Sequence, residues 1–164
     1  MNNDKLVERL LPDFPDPKVR RLFVTPEISD LLDGRIHAGA LSPSEVDGLI
    51  TRFRAGLLVR VSRKKAQRKR NHPELEWLDG FDQIWVMCFR RLRPGLRILG
   101  RFYEKDHLVL LRHYDKRVLV KKYLEAEREV IDDWEKLFGT RAAHSGTDFG
   151  DYMSGSVRDI DEAI

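Results

Sequence analysis

Three apolar runs follow one another between Gln83 and Tyr114, with short connections between them. They read QIWVMCFR (83–90), LRILGRFY (96–103) and HLVLLRHY (107–114). Arg93-Pro94-Gly95 and Glu104-Lys105-Asp106 supply turn residues at the two junctions. Runs of β-branched, aromatic and aliphatic residues joined this tightly predict an antiparallel meander.

The flanks are helical. Upstream, VRRLFV (19–24) has strand composition, and Thr25-Pro26-Glu27 opens a helix with a threonine cap and proline in the first turn. Ile28, Leu31, Leu32 and Ile36 fall on one face, and Gly39 is the expected stop. Ser42-Pro43-Ser44-Glu45 repeats the start signal as a capping box. The helix it opens carries Val46, Leu49, Ile50 and Phe53 and ends near Gly56, which predicts a helical hairpin. From Lys121 to Phe138 the period is again helical. Tyr123, Ala126, Val130, Trp134 and Phe138 lie on its apolar face, and Gly139 is the cap. Residues 4–12 fit a short amphipathic helix. The prolines of DFPDPK make a linker. The order β-α-α-β-β-β-α predicts an α+β fold, a small antiparallel sheet packed on helices. Residues 1–18 are read as an N-terminal extension, 19–139 as the domain, and 140–164 as an acidic, flexible tail. An alternative for the tail is an acidic cover folded over a cationic cleft.

Charge narrows the function. The net charge is only +3, but 20 of the 30 Lys and Arg and 7 of the 27 Asp and Glu lie between Arg52 and Lys122. Such segregation suggests a polyanion-binding centre. Its densest part holds Arg63, Lys64, Lys65, Arg68, Lys69 and Arg70. These, with Arg90 and Lys116, are the candidate RNA-backbone contacts, and nearby Trp77 is a candidate base-stacking platform. The single cysteine, Cys88, cannot form an intrachain disulfide, and no CxxC zinc spacing occurs. No metal or cofactor is expected. With no apolar stretch of membrane-helix length and no signal-peptide core, a cytoplasmic protein without membrane contact is expected.

Several of these residues carry a family resemblance. LFVTPEISDLL, then LDGFDQIWVMCFRRLRPGLRILGRFYEKDHLVLLRHYDKR, then DKRVLVKKYLEAE together resemble the RelE/ParE toxin superfamily, and the RelE branch most. The resemblance implies the toxin of a bacterial toxin–antitoxin pair, held by a cognate antitoxin protein. It implies an endoribonuclease that cleaves messenger RNA on the ribosome without metal, the ribose 2′-hydroxyl attacking the adjacent phosphate. Carried over by position, Arg97 and Arg117 would hold the scissile phosphate and Tyr123 would orient the nucleotide. His113, beside Tyr114 and Asp115 at the end of the last strand, would move protons. One departure is plain: Val86 and Cys88 stand where the family has two lysines on the first meander strand. Arg90 shares that strand face and restores charge, but is too basic to accept a proton. The departure favours a second expectation, a non-catalytic RelE-fold module that binds nucleic acid or protein, or inhibits gyrase as the ParE branch does. Structural readings stand beside these: His113 as a hydrogen-bonding residue, Arg97 as an outward strand residue, Tyr123 as the first core residue of its helix.

Overall fold

The computed structural model describes residues 6–9, 19–34, 43–63, 72–78, 82–90 and 95–162. Its elements run β1 (Val7–Glu8), β2 (Arg21–Val24), α1 (Pro26–Leu32), α2 (Pro43–Arg54), β3 (Val59–Ser62), β4 (Leu75–Trp77), β5 (Trp85–Phe89), β6 (Leu96–Glu104), β7 (His107–Asp115), α3 (Lys116–Lys121), α4 (Tyr123–Phe138) and β8 (Val157–Asp159). Strands β5, β6 and β7 are the predicted antiparallel meander. They form the middle of an eight-stranded sheet of order β1-β2-β7-β6-β5-β4-β3-β8.

The sheet is therefore larger than the small antiparallel one expected, and it is mixed. β2 runs parallel to β7, and β3 runs parallel to both β4 and β8. Strands of two to four residues offer too few alternating positions to stand out in a sequence. At residues 4–12, where a helix was expected, Val7 and Glu8 instead pair antiparallel with β2. The Glu8 carboxylate accepts from Arg21 Nε and Nη2 at 2.8 and 2.9 Å, so pairing and a bidentate ion pair override a weak helical period. Proline 12, the linker and the stop at Gly39 lie outside the described residues. Helix α1 ends earlier, at Leu32, with Gly34 at φ 75°. Its start is as expected: Thr25 Oγ1 accepts from Ile28 N at 3.3 Å and Pro26 occupies the first turn.

Both faces of the sheet are covered. On one, Leu22, Val24, Trp85, Met87, Phe89, Ile98, Phe102 and Leu110 meet α1, α2 and the aromatic segment 149–153. On the other, Phe23, Val86, Cys88, Leu99, Val109 and Leu111 meet Ala126, Val130 and Trp134 of α4. A bulge in the β6–β7 ladder sets which residues go where. Leu99 pairs with Arg112 but Gly100 pairs with Leu110, leaving Leu111 as the extra residue.

The C-terminal segment differs most from expectation. Residues 141–162 are built into the fold rather than hanging free. Phe149, Tyr152 and Met153 are core residues, and Tyr152 is 0 % exposed. Tyr152 meets Trp77, Trp85 and Phe102 at centroid distances of 4.8, 5.0 and 5.4 Å, and its hydroxyl bonds the Gln83 side chain. The segment then adds β8 to the edge of β3. Tyr152→Ala is expected to lower stability by about 3–5 kcal/mol, the range for emptying a large aromatic site, and removal of residues 141–164 to abolish cooperative unfolding. Urea denaturation followed by tryptophan fluorescence measures both; a freely hanging tail would leave the midpoint unchanged.

Candidate anion site at one end of the sheet

The register of β4 to β7 stacks charged residues in rows at one end of the sheet. Leu75 pairs with Met87, Cys88 with Arg97, and Arg97 with Tyr114. Extending the ladder by its next bonds, Cys88 N to Glu74 O at 2.9 Å and Lys116 N to Gly95 O at 2.8 Å, gives two cross-strand rows. One holds Glu74, Cys88, Arg97 and Tyr114. Beyond it lie Gly95 and Lys116, joined by the second of these bonds, and Arg90, whose Nε donates to Pro73 O at 3.0 Å.

Beneath the surface these charges are tied together. Arg97, 3 % exposed, donates from Nη1 to Leu96 O at 3.0 Å. Arg90 Nη2 donates to the buried Glu76 Oε1 at 3.2 Å, and its Nε donates to Pro73 O at 3.0 Å. Glu74 binds the Arg52 guanidinium, accepts from Arg60 N at 3.2 Å, and lies 3.5 Å from Arg60 Nε. Burial would raise its pKa, but the hydrogen bonds from the Arg52 side chain and the Arg60 backbone, with the charges of both arginines, hold it below the usual carboxylate value. Tyr123, at the start of α4, stands over this cluster. Burial first, then the charges of Glu76 and Cys88, push its phenol up to about 12. Exposed at the rim are Arg60, His72 and Lys116. Burial, then the cations Arg90, Lys116, Arg60 and Arg97, lower the pKa of His72.

The residues singled out in the sequence divide accordingly. Arg97, Tyr123, Arg90 and Lys116 are brought to this end of the sheet. Arg97 is buried rather than outward-facing, because α4 covers its face. Arg117 is on α3 with its side chain 77 % exposed, and it pairs locally with Asp115 at 3.3 Å. His113 is not part of the cluster. Paired with Ile98, it lies on the α1 face of the sheet, with Nε2 3.4 Å from Glu27. It lines a cavity of about 540 Å³ between α1 and α4, together with Thr25, Glu27, Arg112, Tyr114, Asp133 and Lys136.

Arg63 is also engaged elsewhere. Its guanidinium lies over Trp77 and Phe149, donates to Thr147 O at 2.8 Å and pairs with Asp148 at 3.6 Å. Trp77 is closed to a base, with Trp85 stacked at 5.4 Å and Arg63 at 5.1 Å. Lys64, Lys65, Arg68, Lys69 and Arg70 lie outside the described residues. The acidic C-terminal segment does not cover the Arg97 cluster; it fills the α1 face and bonds Ser62 and Arg63 through Asp161.

Sequence reasoning missed His72, Glu74 and Glu76. The signal was available in HPELEW, where glutamates alternate with Leu75 and Trp77 as they do along a strand with one charged face. Among the described residues no cluster of His, Cys, Asp and Glu could hold a metal, and no helix is long and apolar enough to cross a membrane. No protein-family model, curated protein or solved structure matches the chain.

Cys88 is closed to chemistry. Burial, then Glu76, push its thiol up to about 12, so the reactive thiolate is scarce at pH 8. A thiol-reactive chromogenic disulfide at pH 8 should leave the folded protein unlabelled while labelling the urea-unfolded chain fully; rapid labelling of the folded form would mean that Cys88 is accessible.

Proposed function

We propose that the protein binds the phosphate backbone of RNA at the cationic end of its sheet, and that it is a RelE-like toxin acting on translated messenger RNA and restrained by an antitoxin protein. The observation that carries this reading is the gathering of Arg60, Arg90 and Lys116 at one end of the sheet, Arg60 against Glu74, Arg90 on Pro73 O and Glu76, and Lys116 bonded through its N to Gly95 O. Guanidinium forks suit phosphate oxygens, and cations on one end of a sheet attract a polyanion without reading its sequence. The element order behind the resemblance gives further support. β2, α1, α2, β5, β6, β7 and α4 occur in that order, with β3 and β4 added between α2 and β5 and α3 between β7 and α4.

A second reading, binding without cleavage, is favoured by one specific observation. At the two positions where the family has lysines stand Val86 and Cys88, both buried, and neither offers a base near neutral pH. In that case the protein would occupy RNA or a partner and cut nothing.

Fluorescence anisotropy with a single-stranded oligoribonucleotide tests the shared core of both readings. Wild-type affinity should fall steeply with salt. The Arg60→Ala/Lys116→Ala variant should bind more weakly at low salt, and the slope of log K against log salt should lessen by roughly 1.4, about 0.7 for each lost phosphate contact. An unchanged slope and affinity would remove this site from consideration. Growth arrest on induction, with new cuts in a translated reporter RNA, separates cleavage from binding.

A further inference from the structure

Pro26 leaves part of β7 without a neighbour. β2 pairs with β7 in parallel from Arg21 and His107 to Val24 and Leu110, and Thr25 N makes the last bond, to Leu110 O at 3.3 Å. The chain then turns away into α1 at Pro26. β7 runs on to Asp115, and from Leu111 onward only β6 pairs with it among the described residues. Leu111 to Asp115 thus form an open edge of about 17 Å, the length of an ordinary partner strand. The ladder fixes which backbone groups face it. Lys116 N bonds Gly95 O at 2.8 Å, so in the antiparallel register Lys116, Tyr114 and Arg112 turn their backbone groups to β6. The N–H and C=O of His113 and the N–H of Asp115 point the other way, into the open edge.

The cavity of about 540 Å³ lies along this same edge. Arg112 and Tyr114 face α4 and His113 faces α1, yet all three line it. A space touched from both faces of a strand lies beside the strand rather than on it. Its walls are the start of α1 and the end of α4, with Pro26, Leu111 and Leu137 as apolar surface. Arg112 and Asp133 are spent on each other at 2.5 Å. Two charges are left over, one on each wall. Glu27 on the α1 wall is 70 % exposed, with only the His113 ring beside it at 3.4 Å. Lys136, in the last turn of α4, is exposed and in no ion pair among the described residues.

We propose that the open edge of β7 docks an extended peptide segment of a partner protein, which joins the sheet as a strand and carries an acidic side chain to Lys136 and a basic one to Glu27. The inference does not rest on the RNA-backbone reading. Backbone bonds to His113 and Asp115 supply affinity, and the two walls supply choice. An added strand sends successive side chains to opposite faces. The acid and the base of the partner are therefore neighbours, or an odd number of residues apart. A peptide fits here better than a second copy of this chain. The edge is recessed between two helices, and a second β7 would bring its own α1 and α4 against the same walls. Open strand edges are otherwise an aggregation hazard, so one left in a groove of matched charge suits a specific occupant.

The test titrates the full-length, nitrogen-15-labelled protein with end-blocked hexapeptides and follows its amide resonances. The probe is Thr-Val-Glu-Lys-Val-Thr, with acid and base on opposite faces. Thr-Glu-Val-Lys-Val-Thr carries both on one face, and Thr-Val-Glu-Glu-Val-Thr carries two acids. The probe should shift the amides of His113, Asp115 and Lys136 and bind roughly fivefold more tightly than either control, the scale of one partly exposed ion pair. Glu27→Lys should reverse the order in favour of the two-acid peptide, by a similar factor. Methylating the backbone nitrogens of the probe one at a time should abolish binding at alternate positions only, the signature of strand addition. No shift at these amides with millimolar probe would overturn the proposal. So would binding that ignores Glu27→Lys, or that tolerates methylation at every position. A dimer in sedimentation that the probe dissociates would place a second copy of the chain at the edge and overturn the partner reading.

Discussion

The extra residue in the β6–β7 ladder decides more about this molecule than any other single feature. Gly100 lies so close to β7 that a Cβ there would stand 1.9 Å from Val109 O and 2.8 Å from Leu110 Cα. Only glycine permits that approach. Past the bulge the side-chain parity of β7 reverses. Leu111 and Arg112 both turn toward α4, Tyr114 follows them, and His113 is sent to the other face. Arg112 then reaches Asp133 at 2.5 Å and Glu129 at 3.3 Å, and the Tyr114 hydroxyl bonds Glu129. These contacts fasten α4 along the sheet, and α4 in turn brings Tyr123 over Cys88 and Glu76. Without the bulge, His113 would share a face with Arg97; with it, His113 lies on the other face, beside Glu27.

A second constraint holds the opposite end. Arg20 is 0 % exposed, yet it spends its guanidinium on backbone carbonyls: Nε on Ser154 O at 2.8 Å, Nη1 on Phe53 O and Leu57 O at 3.0 and 3.2 Å, and Nη2 on Ser156 O at 3.1 Å. Burial lowers its pKa to about 10, partly offset by Asp106, so the group is still a cation at neutral pH. Asp106 completes the clamp. It sits at φ 65° in the β6–β7 turn, and its carboxylate accepts from Ser154 N and Oγ at 2.6 and 2.7 Å. A buried cation satisfied by four carbonyls is costly to expose and costly to leave unpaired. That is why a segment of such polar composition is fixed against α2 and β2, and why Tyr152 arrives in the core.

These two devices also mark the limit of what the sequence discloses. The meander was legible because its runs are long and its turns short. Helix α4 was legible from its stripe and Gly139, whose φ of 61° and bond to Glu135 O at 2.8 Å fulfil the expected cap. The bulge was not legible, since Gly100 within a strand pattern signals a close approach without saying which partner slips. The C-terminal segment was hidden because Phe149, Tyr152 and Met153 stand among glycines and serines at no regular period, and their partners are more than a hundred residues away in some cases, as Arg20 is from Ser154. Of the site, Arg97 and Tyr123 were found through resemblance. Glu74 and Glu76 left a local trace in their alternation with Leu75 and Trp77, but the arginines they hold come from α2, β3 and the residue after β5, which meet only in the folded sheet.

The buried carboxylates explain how such a concentration of cations is stable before any anion binds. Arg52, Arg60, Arg90, Arg97 and Lys116 would repel one another if only water lay between them. Glu74 and Glu76 lie beneath, each holding one or two guanidiniums, and lower that repulsion while fixing the directions in which Arg60 and Arg90 point. Two carboxylates do not neutralise five cations, so a net positive field faces solvent at the rim. Pre-oriented donors of this kind do not have to reorganise when a negative group arrives, which is the condition for charge stabilisation to be effective. Replacing Glu74 or Glu76 by a neutral residue would increase the positive charge yet release the arginines it positions. On this account the acidic residues are as much a part of the candidate anion site as the basic ones.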